Sequence, residues 1–176
     1  MYVPLTKKFK MIAIALIVFG AFAAIAEIAW RTRTPAAEKI TDDYGKVFMD
    51  YGGKEVRLSQ FRSAHVIVFM WASWCPYCAT EIQNLATLKK QYGDKLEVIA
   101  VNRGETLTDA KAYTDALHIE NGVHFFLDPN DALYKSVAGY AMPETLFIDS
   151  RGEIVLHQRG PLALADLLAK MAALEK

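Results

Sequence analysis

The chain has 176 residues, with 20 basic and 20 acidic side chains, no net charge, and an apolar fraction of 53%. That length accommodates one domain plus an appendage, and balanced charge without a basic stripe excludes a nucleic-acid partner. The two cysteines are Cys75 and Cys78, which excludes both a disulfide framework and a four-cysteine zinc site.

Residues 1–10 form a basic start carrying Lys7, Lys8 and Lys10. Met11 to Ala26 is an unbroken run of apolar residues and one glycine; Glu27 interrupts it, Ile28 to Trp30 resume it, and Arg31 and Arg33 close it. Residues 11–30 therefore supply the ~20 positions a membrane-spanning helix needs. Glu27 falls near the outer end and Trp30 at the interface. One expectation is an uncleaved transmembrane signal anchor. The other is a signal peptide cleaved near Ala26, because Ala24-Ile25-Ala26 resembles an A-x-A site. Three lysines before the segment and two arginines after it favour a cytoplasmic amino terminus. Either reading exports the remainder. In a bacterium that is the periplasmic side, with the domain anchored by a single inner-membrane pass or soluble after cleavage, where disulfides persist.

Residues 31–43 read as a polar linker containing Pro35, and the folded domain is expected over 44–176. Val47–Tyr51 and Lys54–Leu58, split by Gly52-Gly53, predict a hairpin. Val66 to Trp71 is a continuous apolar run, as in a strand covered on both faces. Pro76 to Tyr92 predicts a helix with Ile82, Leu85, Leu88 and Tyr92 on one side. Leu96 to Val101 is a second buried strand, and Thr108 to Leu117 a helix capped by Thr108. Val123–Leu127 is a strand ended by the Asp128-Pro129-Asn130 turn. Thr145–Ile148 and Ile154–His157 form a hairpin, and Leu162 to Leu174 a closing amphipathic helix. This alternation predicts an α/β fold, a mixed sheet with helices on both faces.

Trp71-Ala72-Ser73-Trp74-Cys75-Pro76-Tyr77-Cys78 follows a predicted buried strand and opens a predicted helix, the context that makes a Cys-x-x-Cys pair informative. Unpaired N–H groups and the helix dipole at Cys75 favour a thiolate there. Pro76 suits the first turn, where its missing N–H costs nothing. Cys75 is expected to attack and Cys78, one turn in, to resolve. Two other readings are open. A structural disulfide would constrain little chain in so tight a loop. A thiolate pair could hold a soft ion such as Cu(I), but His65, His118, His124 and His157 are scattered and none lies in the motif. No metal site and no cofactor beyond the redox-active disulfide are expected.

WASWCPYC, together with Met142-Pro143-Glu144-Thr145, resembles the thioredoxin superfamily in its membrane-anchored TlpA/ResA/DsbE (CcmG) branch. The resemblance runs from about Tyr44 to the carboxyl terminus. It implies a thioredoxin-like fold, with Cys75 and Cys78 as the redox pair and Pro143 as a cis-proline facing them. It also implies that backbone at Met142 pairs with an extended substrate peptide. Gly139 to Asp149 is most similar to the DsbE group, and Val101-Asn102-Arg103-Gly104-Glu105 to the TlpA group. Glu81 resembles a helix glutamate that tunes the pair in ResA-like proteins; an ordinary exposed helix glutamate is the other reading. Many thioredoxins carry a buried acid on the strand before the motif, where this chain has Phe69, so Glu81 or water must take the proton of Cys78. Trp74 is expected to shield the thiolate, Pro76 and Tyr77 to tune the pair, and Trp71 to belong to the core.

The resemblance implies a reductant of specific protein disulfides, supplied with electrons by a membrane thiol-transfer protein. The leading substrate is apocytochrome c during cytochrome c maturation. The alternatives are reduction of, or copper delivery to, the copper site of a terminal oxidase, and a DsbA-type oxidant.

Overall fold

The computed structural model describes residues 16–17, 19–20, 47–61, 65–119 and 122–175. Two compact units are resolved, Met1–Ala36 and Ala37–Lys176. In the first, Leu16, Ile17, Phe19 and Gly20 are helical and exposed. Among the described residues no helix is long and apolar enough to cross a membrane. The predicted span at 11–30, those four positions apart, lies outside the described residues, as do the basic start and the linker.

The second unit is built on a seven-stranded sheet of β1 (Val47–Asp50), β2 (Glu55–Arg57), β3 (His65–Trp71), β4 (Leu96–Arg103), β5 (Val123–Asp128), β6 (Glu144–Ile148) and β7 (Ile154–Arg159). The strand order is β2-β1-β5-β4-β3-β6-β7. β3, β4 and β5 are parallel, while β6, β7, β1 and β2 join antiparallel. The mixed sheet expected from the alternation is therefore present. Among the described residues four α-helices cover it: α1 (Cys78–Tyr92), α2 (Leu107–Ala116), α3 (Ala132–Ser136) and α4 (Leu164–Leu174).

β3 lies inside the sheet, between β4 and β6, and both of its faces are apolar. Val66, Val68 and Met70 enter one core with Phe48, Ile99, Val101, Phe126, Leu133 and Leu146. Ile67, Phe69 and Trp71 enter the other with Ile82, Leu85, Leu88, Phe147, Leu167 and Met171. Side chains alternate across a strand, so one run feeds two cores. Each such side chain contributes about 1.5–3 kcal/mol on burial. α1 and α4 cover the second face, which carries both cysteines, whereas α3 covers the first through Leu133.

Three local expectations are corrected. α1 begins at Cys78 rather than Pro76. Proline supplies no N–H, so the chain first closes through Cys78 N–H to the Cys75 carbonyl at 3.3 Å; the helical ladder starts with Glu81 N–H to Tyr77 at 3.2 Å. Thr106, not Thr108, caps α2: its hydroxyl oxygen accepts Asp109 N–H at 3.2 Å and its hydroxyl donates to Asp109 Oδ2 at 2.7 Å. The short helix α3, after the Asp128-Pro129-Asn130 turn, is not in the sequence expectation. One turn carries too few residues for a helical period, and Asp128 Oδ2 starts it by accepting Leu133 N–H at 2.8 Å.

Candidate active site

Strand β3 ends at Trp71, and the next six residues carry the chain into α1. Cys75 and Cys78 are joined as a disulfide with their Cα atoms 5.5 Å apart. Cys75 is 2% exposed and Cys78 fully buried. Around them Trp74, Pro76 and Tyr77 face solvent, with Trp74 63% and Tyr77 55% exposed. Trp71 is fully buried and stacks on Tyr113 at 5.2 Å, as a core residue.

One turn below Cys78, Glu81 is 1% exposed, so it is not an ordinary solvent-facing helix glutamate. Thr145 Oγ1 donates to its Oε1 and Leu162 N–H to its Oε2, both at 3.0 Å. Burial pushes this carboxyl up to about 7, against the opposing pull of the Leu162 amide and the Thr145 hydroxyl. Positions i and i+3 share a helix face, so a group that exchanges protons near neutrality lies on the side of Cys78. Phe69, opposite Thr145 in the β3–β6 register, is fully buried beside the cysteines. No acid comes from that strand position.

The Met142–Pro143 peptide is cis and Pro143 is buried. Met142 packs against the core that contains both cysteines. Its N–H and C=O make no backbone hydrogen bond among the described residues, leaving an edge that can accept an extended peptide. The loop is held from beneath. Glu144 is fully buried; its Oε1 accepts the N–H groups of Tyr140 and Ala141, each at 2.7 Å, and its Oε2 lies 2.6 Å from His157 Nε2. Tyr134 donates its hydroxyl to the Ala141 carbonyl at 2.9 Å. Arg103 lies over the Tyr134 ring, 3.2 Å from its centroid, and pairs with Asp131 through both carboxylate oxygens. Glycine at 139 is required by this arrangement, because a Cβ there would overlap the Tyr134 ring.

A buried cysteine pair at the start of a helix, across from a cis-proline loop on a sheet of this order, sets the comparison with known proteins. The family described as Redoxin matches residues 33–169. This chain belongs to the Redoxin family. Within the thioredoxin superfamily it is of the ResA/DsbE kind. The thiol-disulfide oxidoreductase ResA of Bacillus thuringiensis subsp. konkukian is 25% identical over 115 residues, 65% of each chain. The thiol:disulfide interchange protein DsbE of Vibrio cholerae is 30% identical over 128 residues, 69% of this chain and 67% of that one. The chain thus spans about two thirds of the length of such relatives. The exposed lipoprotein thioredoxin Etrx1 of Streptococcus pneumoniae superimposes with a TM-score of 0.65 at 25% identity, covering 73% of this chain and 98% of that one.

In this redoxin Cys75 and Cys78 lie in one buried core, Met142 packs against that core, and Glu81 reaches Thr145, two residues beyond Pro143. Among the described residues no cluster of three or more metal-ligating side chains occurs. Sequence reasoning passed over four contributors: Glu105, Tyr134, the pairing of Glu144 with His157, and the hydroxyl of Thr145. Their one signal was the mixture of polar residues inside otherwise apolar segments.

Glu105 is the anchor of the segment before Cys75. It accepts Ser73 N–H at 2.8 Å, the Ser73 hydroxyl at 2.5 Å and the buried Asn102 amide at 2.6 Å. Glu105→Ala leaves the Asn102 donor unpaired, and we expect a loss of about 2 kcal/mol in urea unfolding. Glu105→Gln is expected to lose about half as much, because one acceptor oxygen remains. Equal stability in all three proteins would dismiss this role.

Proposed function

We propose that the protein is a thiol:disulfide oxidoreductase that reduces specific protein disulfides outside the cytoplasm, those of apocytochrome c foremost. One observation carries the reading: the Cys75–Cys78 disulfide at the head of α1 shares a core with Met142, beside the cis Pro143. Membership of the Redoxin family and the names of its ResA and DsbE relatives support it.

In the reduced protein the Cys75 thiolate attacks one sulfur of the substrate disulfide. That bond breaks, a mixed disulfide forms, and the first substrate thiolate leaves and takes up a proton. The Cys78 thiolate then attacks Cys75 Sγ and expels the second substrate thiol, so two electrons pass to the substrate and Cys75–Cys78 is oxidised. Glu81 holds or releases the proton of Cys78 in this scheme, since its own titration falls near neutrality. Trp74, Pro76 and Tyr77 surround the pair, and Met142 and Pro143 hold the substrate strand. A membrane thiol-transfer donor would return the enzyme to the dithiol state. Residues 11–30 would tether the domain to the inner membrane, facing the periplasm. Tethering raises its local concentration near membrane-bound partners.

The test is the reduction potential of the Cys75–Cys78 pair in glutathione or dithiothreitol buffers, together with reduction of a disulfide-bonded Cys-x-x-Cys-His peptide. We expect a potential near that of thioredoxin, roughly −270 mV, and reduction of the peptide. A value near that of DsbA, roughly −120 mV, would make the protein an oxidant and overturn the pathway. Tight Cu(I) binding with function surviving loss of Cys78 would replace the enzyme with a copper carrier.

A further inference from the structure

Arg159 ends β7 at the rim of the proline loop. It lies opposite Glu144 in the β6–β7 register, and the next residue, Gly160, donates its N–H to the Pro143 carbonyl at 2.9 Å. Its guanidinium carbon is 4.9 Å from the centroid of the Tyr140 ring, and Tyr140 is 77% exposed.

Among the described residues the charge on Arg159 has no counterpart. Arg103 is paired with Asp131, and Arg151 with Asp149 and Glu153. Arg159 makes no ion pair among the described residues, and its Nε is buried without an acceptor. The nearest acid along the register, Glu144, is already engaged by the Tyr140 and Ala141 amides and by His157. A half-buried guanidinium stacked on an exposed ring keeps its remaining donors in a fixed plane, an arrangement suited to a carboxylate. Only Ala141 separates Tyr140 from Met142, so a peptide paired along the Met142 backbone would run past the Tyr140 ring. Exposed Trp74 and Tyr77 at the mouth of the disulfide add apolar surface but no charge.

We propose that Arg159, braced by Tyr140, selects protein substrates that carry an aspartate or glutamate close to the target cysteine. The inference rests on the oxidoreductase reading and deepens it by naming a class of substrate. The carboxylate would accept hydrogen bonds from the guanidinium and supply the missing countercharge, while the aliphatic part of the acidic residue lies against the Tyr140 ring.

The test uses the full-length chain and three peptides with one intramolecular disulfide, identical except for glutamate, glutamine or lysine beside the target cysteine. For the wild type we expect kcat/KM in the order glutamate, glutamine, lysine. The first two should differ roughly fivefold at low salt, as a partly exposed ion pair allows, and the gap should close as salt rises. Arg159→Lys keeps the charge and is expected to retain the order. Arg159→Glu is expected to reverse it, favouring the lysine peptide. Equal rates for the three peptides with the wild type, or an unchanged order in Arg159→Glu, would overturn the selection and leave the oxidoreductase reading standing. Reduction of none of them by the wild type would overturn both.

Discussion

Cys78→Ala halts thiol–disulfide exchange at the mixed disulfide. With Cys78 gone, the Cys75 thiolate still attacks a substrate disulfide, but no second thiol lies within reach to expel the product. In the disulfide form the two Cα atoms are 5.5 Å apart and Cys78 is fully buried, so an external thiol has no path to replace it from the same side. A covalent adduct with the substrate protein is expected to accumulate, visible on a non-reducing gel and released by dithiothreitol. Cys75→Ser is expected to give no adduct and to lose turnover by on the order of a thousandfold or more, the scale for removing a nucleophile. An adduct that forms through Cys78 in Cys75→Ser would reverse the assigned roles.

Glu81→Gln is expected to change stability in a pH-dependent way. The carboxyl is raised from 4.5 to about 7 by burial. Between these values the folded protein binds a proton that the unfolded chain releases, so stability declines as pH rises. The contribution is fully present below about pH 4.5 and lost as pH passes about 7. At ~1.4 kcal/mol for each pH unit between the two values, the decline amounts to about 3 kcal/mol. Glutamine fits the site, since its amide can donate to Thr145 Oγ1 while its carbonyl accepts Leu162 N–H. The protonated carboxylic acid can make the same pair of bonds. Urea unfolding of the oxidised protein at pH 5 and pH 8 is therefore expected to converge at the lower pH, with the variant more stable by about 3 kcal/mol at the higher. The resolving step is a second readout. It is expected to accelerate through about pH 7 in the wild type, where the Glu81 carboxylate takes the Cys78 proton. In the variant that rise moves toward the titration of an ordinary thiol, about 8.5. A variant that follows the wild type in both measurements would remove Glu81 from the mechanism.

Much of the architecture was legible because it is local. The apolar run of β3 announces a strand covered on both faces, and the period of Ile82, Leu85 and Leu88 announces the buried side of α1. Cys-Pro-Tyr-Cys at that junction placed the chemistry, because a nucleophilic thiolate depends on its position at a helix start. The cis peptide before Pro143 was expected from a family resemblance, not from the residues, since an X-Pro bond is trans by default.

Contacts between distant residues decided the rest. The sequence leaves Glu81 open between a glutamate that tunes the cysteine pair and a solvent-facing one, and only Thr145 and Leu162, 64 and 81 positions further on, make its burial tolerable. Glu144 and His157 meet through the register of β6 and β7, and Glu105 reaches Ser73 across 32 positions. Arg159 and Tyr140 become a pair by the same hairpin. Periodicity and turn chemistry determined the strands, the three longer helices and the site of the redox pair, because they act between near neighbours in the chain. Which polar groups are desolvated, and against which partners, was decided by the tertiary structure, because burial and charge compensation exist only once the sheet has closed around them.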